Sequence, residues 1–135
     1  ELDYWQLPNE TLIKNRGDCE DFSVAFVSLM KAYDPSLKCY SMSLINHQSS
    51  ICKYTEDEDE YYIIIDMSLY MTEIVSDASI KQKEVKKRQL EVFFNDYFND
   101  AGLIEENRQI DAIFDGSDLV FFENFDEFLI YLIEI

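Results

Sequence analysis

The chain has 135 residues, 47% of them hydrophobic, which is enough for one domain that buries a core of its own. Its 28 Asp and Glu residues exceed its 11 Lys and Arg residues, so the formal net charge is −17. A surface this acidic repels phosphate, which argues against nucleic acid and anionic membranes as partners, and no run of about 18 apolar residues predicts a transmembrane helix.

The first predicted helix extends from about residue 18 to residue 33, after an irregular segment at 1–17. Asp18 is a favourable N-cap residue, and acidic residues in the first turn suit the positive end of the helix dipole. Apolar residues then recur at helical spacing, at positions 22, 25, 26, 29, 30 and 33. Asp34-Pro35 is expected to end the helix, because the residue before a proline disfavours helical backbone angles.

Three strands are predicted to follow, at residues 39–44, about 48–54 and 61–66, with a turn at Asn46-His47. Residues 56–60 are five consecutive carboxylates, which cannot be buried together, so we expect them at a solvated hairpin tip. The three strands are therefore expected to form an antiparallel meander that packs on the first helix.

A long helix is predicted at residues 78–101, with Gly102 as the residue that follows its end. Its first half holds five of the 11 basic residues and is expected to lie along the acidic body of the same chain, while its second half carries an apolar stripe. Residues 110–114 and 119–122 flank an Asp-Gly-Ser-Asp turn, which predicts a hairpin. Asn124 is expected to cap a final helix, with Glu127 at its third position.

The three cysteines could form a disulfide, stay as free thiols or bind a metal. The chain has three cysteines, and an odd, low count does not predict a disulfide framework. Cys39 and Cys52 are expected to face each other across the first hairpin, either as a disulfide or as packed free thiols, and we favour free thiols. A zinc site from these two residues is disfavoured, because the chain has no Cys-x-x-Cys pair. No compartment follows from the sequence, the cytoplasm being slightly favoured.

The third cysteine, Cys19, stands in the first turn of the first predicted helix. The unpaired N–H groups and positive dipole end of that turn stabilise a thiolate and also an oxyanion. A nucleophilic thiol needs a base, and the base needs an orienting group. His47 is the single histidine, and Asp66 ends an apolar strand where a carboxylate requires a partner. The sequence therefore predicts a Cys19–His47–Asp66 catalytic set.

Residues 17–21 read Gly-Asp-Cys-Glu-Asp and resemble the nucleophile signature of the transglutaminase-like superfamily. The segment is most similar to the bacterial transglutaminase-like cysteine proteinases, the group that includes the LapG-type adhesin proteases. The upstream Trp5, Pro8 and Glu10 resemble that group's Trp-x-x-Pro-x-Glu lead-in, and His47 and Asp66 match its strand histidine and strand-end aspartate. The resemblance covers residues 1 to about 70.

The resemblance implies an α+β fold with a transglutaminase-like or papain-like core, in which the nucleophile helix packs on an antiparallel sheet. We expect one domain over residues 1–135, with a catalytic core at 1–70 and C-terminal helices and a hairpin at 71–135. The implied function is a thiol-dependent acyl hydrolase, a cysteine peptidase acting on a protein or peptide. Two alternatives stay open: a transglutaminase or deamidase with the same triad, and a non-catalytic binding module that retains the fold.

Three carboxylates beside the nucleophile create an electrostatic conflict. Asp18, Glu20 and Asp21 disfavour a thiolate at Cys19, whereas the helix terminus and a protonated His47 favour it. The carboxylates either cap the helix or hold a cation, and the resemblance implies a calcium site there, for which oxygen ligands are suited. The acyl-transfer chemistry itself requires no cofactor.

Two residues of the lead-in are candidates for an oxyanion hole. The Gln6 side chain, or that of Trp5, would complete the hole together with the Cys19 N–H group. The alternative for Trp5 is simple packing of the lead-in against the domain. The sequence does not indicate an oligomeric state.

Overall fold

The computed structural model describes residues 18–66, 71–77 and 80–135. Its helices are α1 (Cys19–Tyr33), α2 (Lys83–Asp100) and α3 (Phe125–Glu134), with a 3-10 turn at Glu105–Asn107. Its strands are β1 (Lys38–Leu44), β2 (His47–Glu56), β3 (Asp59–Ile65), β4 (Met71–Asp77), β5 (Ala112–Phe114) and β6 (Leu119–Phe121). Within these ranges, no helix combines the length and the apolar character that crossing a membrane requires.

The six strands form one sheet in the order β4-β3-β2-β1-β5-β6, and every neighbouring pair is antiparallel. The α+β class, the predicted meander on the first helix and the C-terminal hairpin are thereby confirmed. Asn46 and Asp57 adopt positive φ angles of 58° and 56° at the two tight turns of the meander, a conformation that Asn and Asp tolerate better than most residues. The acidic run lies at the second of these turns, as predicted.

The helices cover the sheet from both sides. α1 packs over β1 and β2 on one face, while α2 and α3 pack on the opposite face around a buried aromatic cluster. The predicted apolar stripe of α2 supplies much of that cluster, and Lys86 and Lys87 in its basic half pair with Glu60 (2.7 Å) and Asp126 (3.3 Å). The basic half therefore lies along acidic residues of the same chain, as predicted.

The start of the long helix was predicted wrongly. Residues 80–82 are not helical, Gln82 makes no side-chain capping bond, and α2 begins only at Lys83. The sequence also gave no indication of β4, whose polar residues break the alternation and whose pairing with β3 defines it. The end was predicted correctly: Gly102 has a φ of 69°, and its N–H donates to the Asn99 carbonyl in a Schellman-type turn.

The preference for free thiols at Cys39 and Cys52 is also wrong. The register of β1 and β2 sets the two residues directly opposite each other, as predicted, with their Cα atoms 4.1 Å apart, and they form a disulfide. The bond is buried beneath α1, where Val27 and Phe26 pack against it. All three cysteines lie within the described residues, and Cys19 is the one that stays free.

Candidate active site

The N-terminus of α1 is fixed by a reciprocal capping arrangement. The Asp21 N–H donates to Asp18 Oδ1 (3.2 Å), and the Asp18 N–H donates to Asp21 Oδ2 (3.1 Å). Each carboxylate thereby satisfies a backbone donor that a helix start otherwise leaves unpaired. This confirms Asp18 as the N-cap and makes Cys19 the first residue of the helix.

A cluster of buried polar side chains holds α1 on the sheet. The Ser23 hydroxyl donates to the Ser49 carbonyl (2.7 Å), and its oxygen lies 2.7 Å from the hydroxyls of both Ser41 and Ser50. Gln48 extends the cluster, because its Nε2 donates to Ser41 Oγ (2.6 Å). Hydrogen bonds between buried groups are sensitive to distance and angle, so these contacts define where α1 sits along β1 and β2. We call these five residues the serine cluster.

Strand lengths explain how Cys19 reaches β2. The pairing of β2 with β3 begins at Ser50 and Ile65, so His47 and the two residues after it extend beyond the end of β3. The N–H of Gln48 donates to the Cys19 thiol in this gap, and the N–H of Glu20 also donates to it. The nucleophile candidate therefore contacts the backbone of the residue next to the histidine.

His47 and Asp66 form the closest polar contact of the site. His47 Nε2 lies 2.5 Å from Asp66 Oδ2, and the Asp66 side chain is only 1% exposed. Because Nε2 faces the carboxylate, Nδ1 is the ring nitrogen left to exchange a proton with a thiol. The structure thus brings His47 and Asp66 together, as the sequence suggested.

Tyr97 is a member of this site that the sequence analysis missed. Its hydroxyl donates to Asp66 Oδ2 (2.8 Å), the oxygen that also meets His47, and lies 3.0 Å from Ser49 Oγ. Burial raises the pKa of Tyr97 far above its ordinary value, so the phenol keeps its proton and stays a donor. Tyr97 lies in the second half of the long helix, where the sequence predicts an apolar stripe. The signal that points to a site is its hydroxyl, since buried tyrosines need a polar partner.

The electrostatics favour a protonated thiol. Partial burial raises the pKa of Cys19 above 9.0; the Gln48 N–H opposes this effect, whereas the charges of Glu20 and Asp18 add to it. The hydrogen bond to Asp66 raises the pKa of His47 above 6.5, although burial acts against it. In the part of the chain that is described, no hydrogen bond joins the Cys19 thiol to the His47 ring. The arrangement therefore suits a histidine that removes the thiol proton during reaction, rather than a resting thiolate–imidazolium pair.

The remaining predicted residues have different outcomes. Trp5 and Gln6, the oxyanion-hole candidates, lie outside the described residues. Asp18 and Asp21, two of the three calcium-ligand candidates, act as the helix cap, with Glu20 beside them in the first turn. Over residues 18–66, 71–77 and 80–135, no group of three or more His, Cys, Asp or Glu residues is arranged to hold a metal ion. The calcium site stays a prediction from the resemblance.

Comparison with protein-family models, with curated proteins and with solved structures gives no match for this chain. The transglutaminase-like resemblance therefore depends on the sequence of residues 17–21 and its lead-in. The spatial relation of Cys19, His47 and Asp66 is independent of that resemblance, because it is read from contacts within the chain.

Proposed function

We propose that the chain is a thiol-dependent acyl hydrolase of the transglutaminase-like kind, acting as a cysteine peptidase on a protein or peptide. Cys19 is the nucleophile, His47 the general base and acid, and Asp66 the group that orients His47. The observation that carries the proposal is the hydrogen bond (2.5 Å) between the half-buried His47 and the buried Asp66, next to a thiol that accepts from the Gln48 N–H. Functional sites commonly combine a nucleophile, a base and an orienting carboxylate in this relation.

In the proposed reaction, His47 Nδ1 takes the proton of the Cys19 thiol as the sulfur attacks the substrate carbonyl carbon. The carbonyl oxygen becomes an oxyanion, for which the N–H of Cys19 itself, at the start of α1, is a main-chain donor. The imidazolium then gives its proton to the departing amine, and a thioester remains on Cys19. Water, deprotonated by His47, attacks the thioester, which releases the acid and restores the thiol.

Asp66 and Tyr97 keep the histidine in the tautomer that this reaction needs. A carboxylate at Nε2 favours a proton on that nitrogen and so leaves Nδ1 as the acceptor. Tyr97 holds the same carboxylate oxygen from the opposite helix layer, at 2.8 Å. Tyr97 is therefore a positioning residue, which acts on His47 through Asp66.

The alkylation rate of Cys19 tests the proposal directly. Because Cys39 and Cys52 are paired, iodoacetamide added to the non-reduced protein reports on Cys19 alone. We expect the rate between about pH 5 and 10 to rise first with the deprotonation of His47, above 6.5, and again with the thiol, above 9.0. In His47→Gln the first rise should disappear, and in Asp66→Asn it should move to lower pH.

Asp100→Asn, a change of the same kind at an exposed position at the end of α2, is the matched control and should leave the profile unchanged. Identical profiles for wild type and His47→Gln would contradict the proposal and favour a binding module. Mass spectrometry of a glutamine-containing peptide, with and without a primary amine, then separates the possible acceptors. Backbone cleavage supports a peptidase, whereas amine incorporation or side-chain deamidation supports the transglutaminase or deamidase alternative.

A further inference from the structure

We propose that an open apolar groove beside α1 binds the substrate as an extended peptide whose alternate apolar side chains are flanked by Lys or Arg. The groove has a volume of about 690 Å³ and is formed by the hairpin β5–β6, with Ser43 of β1 at one end. This inference builds on the proposed function, since it assigns the substrate class of the Cys19 site.

The strand register sets the apolar side chains of the hairpin on one face. Ser41 and Ser43 of β1, which share the face covered by α1, pair with Phe114 and Ala112 of β5. Those two residues pair in turn with Leu119 and Phe121 of β6. Because residues paired across an antiparallel sheet point to the same face, the four apolar side chains continue the α1 face of the sheet beyond the helix: Ala112, Phe114, Leu119 and Phe121 line the groove.

Two of these side chains are unusually exposed for their size. Phe121 is 73% exposed and Leu119 is 57% exposed, although both belong to a strand. β6 is also the terminal strand of the sheet and, among the described strands, pairs only with β5. An edge strand beside exposed apolar side chains suits the addition of an extended segment, in which the backbone forms a ladder and alternate side chains enter the groove.

A chain of contacts connects the groove to the nucleophile. Ser43, at one end of the groove, donates from its hydroxyl to Gln48 Oε1 (2.8 Å). The N–H of the same Gln48 donates to the Cys19 thiol. One end of the groove is therefore a single residue away from the reactive sulfur, so a peptide lying along β6 and β5 would extend toward Cys19.

The charges around the groove determine which residues can flank the apolar side chains of a bound peptide. Asp111 lies at the Ser43 end of the groove and Asp118 at the turn end. The nearby Asp115, in the same turn, pairs with Lys31 (2.6 Å). The Asp111 carboxylate accepts a bond from the uncharged Gln109 side chain (2.9 Å), which leaves its charge in place. Both ends of the groove are therefore acidic, and a second copy of this chain, at −17, would be repelled. A peptide with cationic residues on both sides of its apolar positions is complementary.

Peptide binding to the Cys19→Ser protein tests the groove without turnover. The probe is fluorescein-labelled Gly-Lys-Leu-Ser-Leu-Lys-Gly amide, followed by fluorescence anisotropy at low salt. We expect Phe121→Ser to weaken binding about tenfold, as loss of an aromatic contact does at an interface, and Asp118→Asn to weaken it less. Val92→Ser is the matched control, since Val92 is 63% exposed on α2, which packs on the other face of the sheet. Replacing the probe's Lys with Glu, or its Leu with Ser, should abolish binding.

The outcomes separate this inference from the proposed function. Equal affinity of Phe121→Ser and Val92→Ser for the labelled peptide would overturn the proposal that the groove binds it, even if Cys19 shows its expected reactivity. Sedimentation showing a dimer that Phe121→Ser dissociates would also overturn it, in favour of a second copy on β6. Binding that depends on Phe121, together with a Cys19 alkylation profile unaffected by His47→Gln, would support the groove while contradicting the hydrolase.

Discussion

The two faces of the central sheet are packed in different ways. On one face, α2 and α3 bury an almost wholly apolar cluster, in which the Phe94 ring lies 5.2 Å from that of Phe128 and 5.6 Å from that of Phe125. On the other face, α1 rests on the serine cluster and on the Cys39–Cys52 disulfide. Both interfaces are buried, but apolar rings dominate the first, whereas hydrogen-bonded hydroxyls and a disulfide form much of the second.

This difference suggests that the two faces of the sheet have different roles, one in stability and the other in positioning α1. Apolar packing stabilises in proportion to the area removed from water and has little directional preference. Buried hydrogen bonds contribute less on average, but they penalise any displacement that leaves a group unpaired. We therefore expect the aromatic face to contribute chiefly to stability, and the face covered by α1 to fix the position of the helix that carries Cys19. Tyr97 connects the two faces, because it belongs to the aromatic cluster and its hydroxyl lies 3.0 Å from Ser49 Oγ of the serine cluster.

The largest expected effect is on the aromatic face. Phe94 is fully buried among aromatic rings, and Phe94→Ala should lower the free energy of unfolding by about 3–5 kcal/mol. Val92→Ala, on the exposed side of the same helix, should change it by less than about 0.5 kcal/mol. Urea denaturation followed by circular dichroism measures both variants. Similar losses for the two would mean that α2 does not pack as described.

The second effect concerns the disulfide beneath α1. Cys39 and Cys52 are separated by 13 positions, and closing a loop of that size stabilises a protein by about 3 kcal/mol in the chain-entropy model. The Cys39→Ala/Cys52→Ala variant should lose about that much unfolding free energy. Reductant should destabilise the wild type and leave the variant unaffected. A wild type indifferent to reductant would contradict the disulfide.

Local signals in the sequence were enough to predict α1, the meander and the last helix. Asp18 and Asn124 cap their helices as expected, and alternation located β1 to β3. The lone histidine and a carboxylate that ends an apolar strand also suggested the His47–Asp66 pair. Each of these features is encoded within a few residues, so a pattern in one segment reveals it.

The features that were missed depend on partners distant in the chain. β4 is defined by its pairing with the edge of β3, and its own residues do not alternate clearly between apolar and polar. The state of Cys39 and Cys52 depends on redox conditions, which the sequence does not contain. Tyr97 lies within a predicted apolar stripe, and its role follows from its contact with Asp66, 31 positions away. Tertiary contacts decided each of these cases.

A smaller effect is expected from the serine cluster itself. Ser23→Ala removes a hydroxyl that serves the Ser49 carbonyl and two neighbouring hydroxyls, which should cost about 1–3 kcal/mol. It should also alter the alkylation rate of Cys19, because α1 is no longer held in register. Ser28→Ala, at an exposed position of the same helix, is the matched control. Loss of stability with an unchanged alkylation rate would contradict the positional role of this face.

The His47–Asp66 pair should make stability depend on pH. The pKa of His47 is raised above 6.5 in the folded chain, chiefly by its bond to Asp66. The stabilisation is therefore fully present below about 6.5, while Asp66 stays ionised, and is lost as pH rises through the higher folded value. Unfolding free energies measured across that range should fall with pH in the wild type but not in His47→Gln. A parallel decline in both would assign the effect to other groups.

The smallest expected effect is that of the Glu20 charge on the pKa of Cys19. It can be separated from the effect of the helix-start geometry by removing the charge alone. Burial is the main cause of the raised pKa of Cys19, and the charge of Glu20 raises it further, whereas the Gln48 N–H lowers it. Glu20→Gln should therefore shift the alkylation profile to lower pH, and the shift should shrink as salt screens the carboxylate. Glu84→Gln, in the first turn of α2, is the matched control and should leave the profile unchanged.

Calcium adds a further comparison to the Glu20 experiment, because a cation held near Glu20 would offset the carboxylate charge. Calcium should then lower the pKa of Cys19 in the wild type and have a weaker effect in Glu20→Gln. An equal response in both proteins would place any bound ion away from this residue. A wild-type profile that does not change with calcium would leave helix capping as the role of Asp18 and Asp21, in keeping with their reciprocal hydrogen bonds.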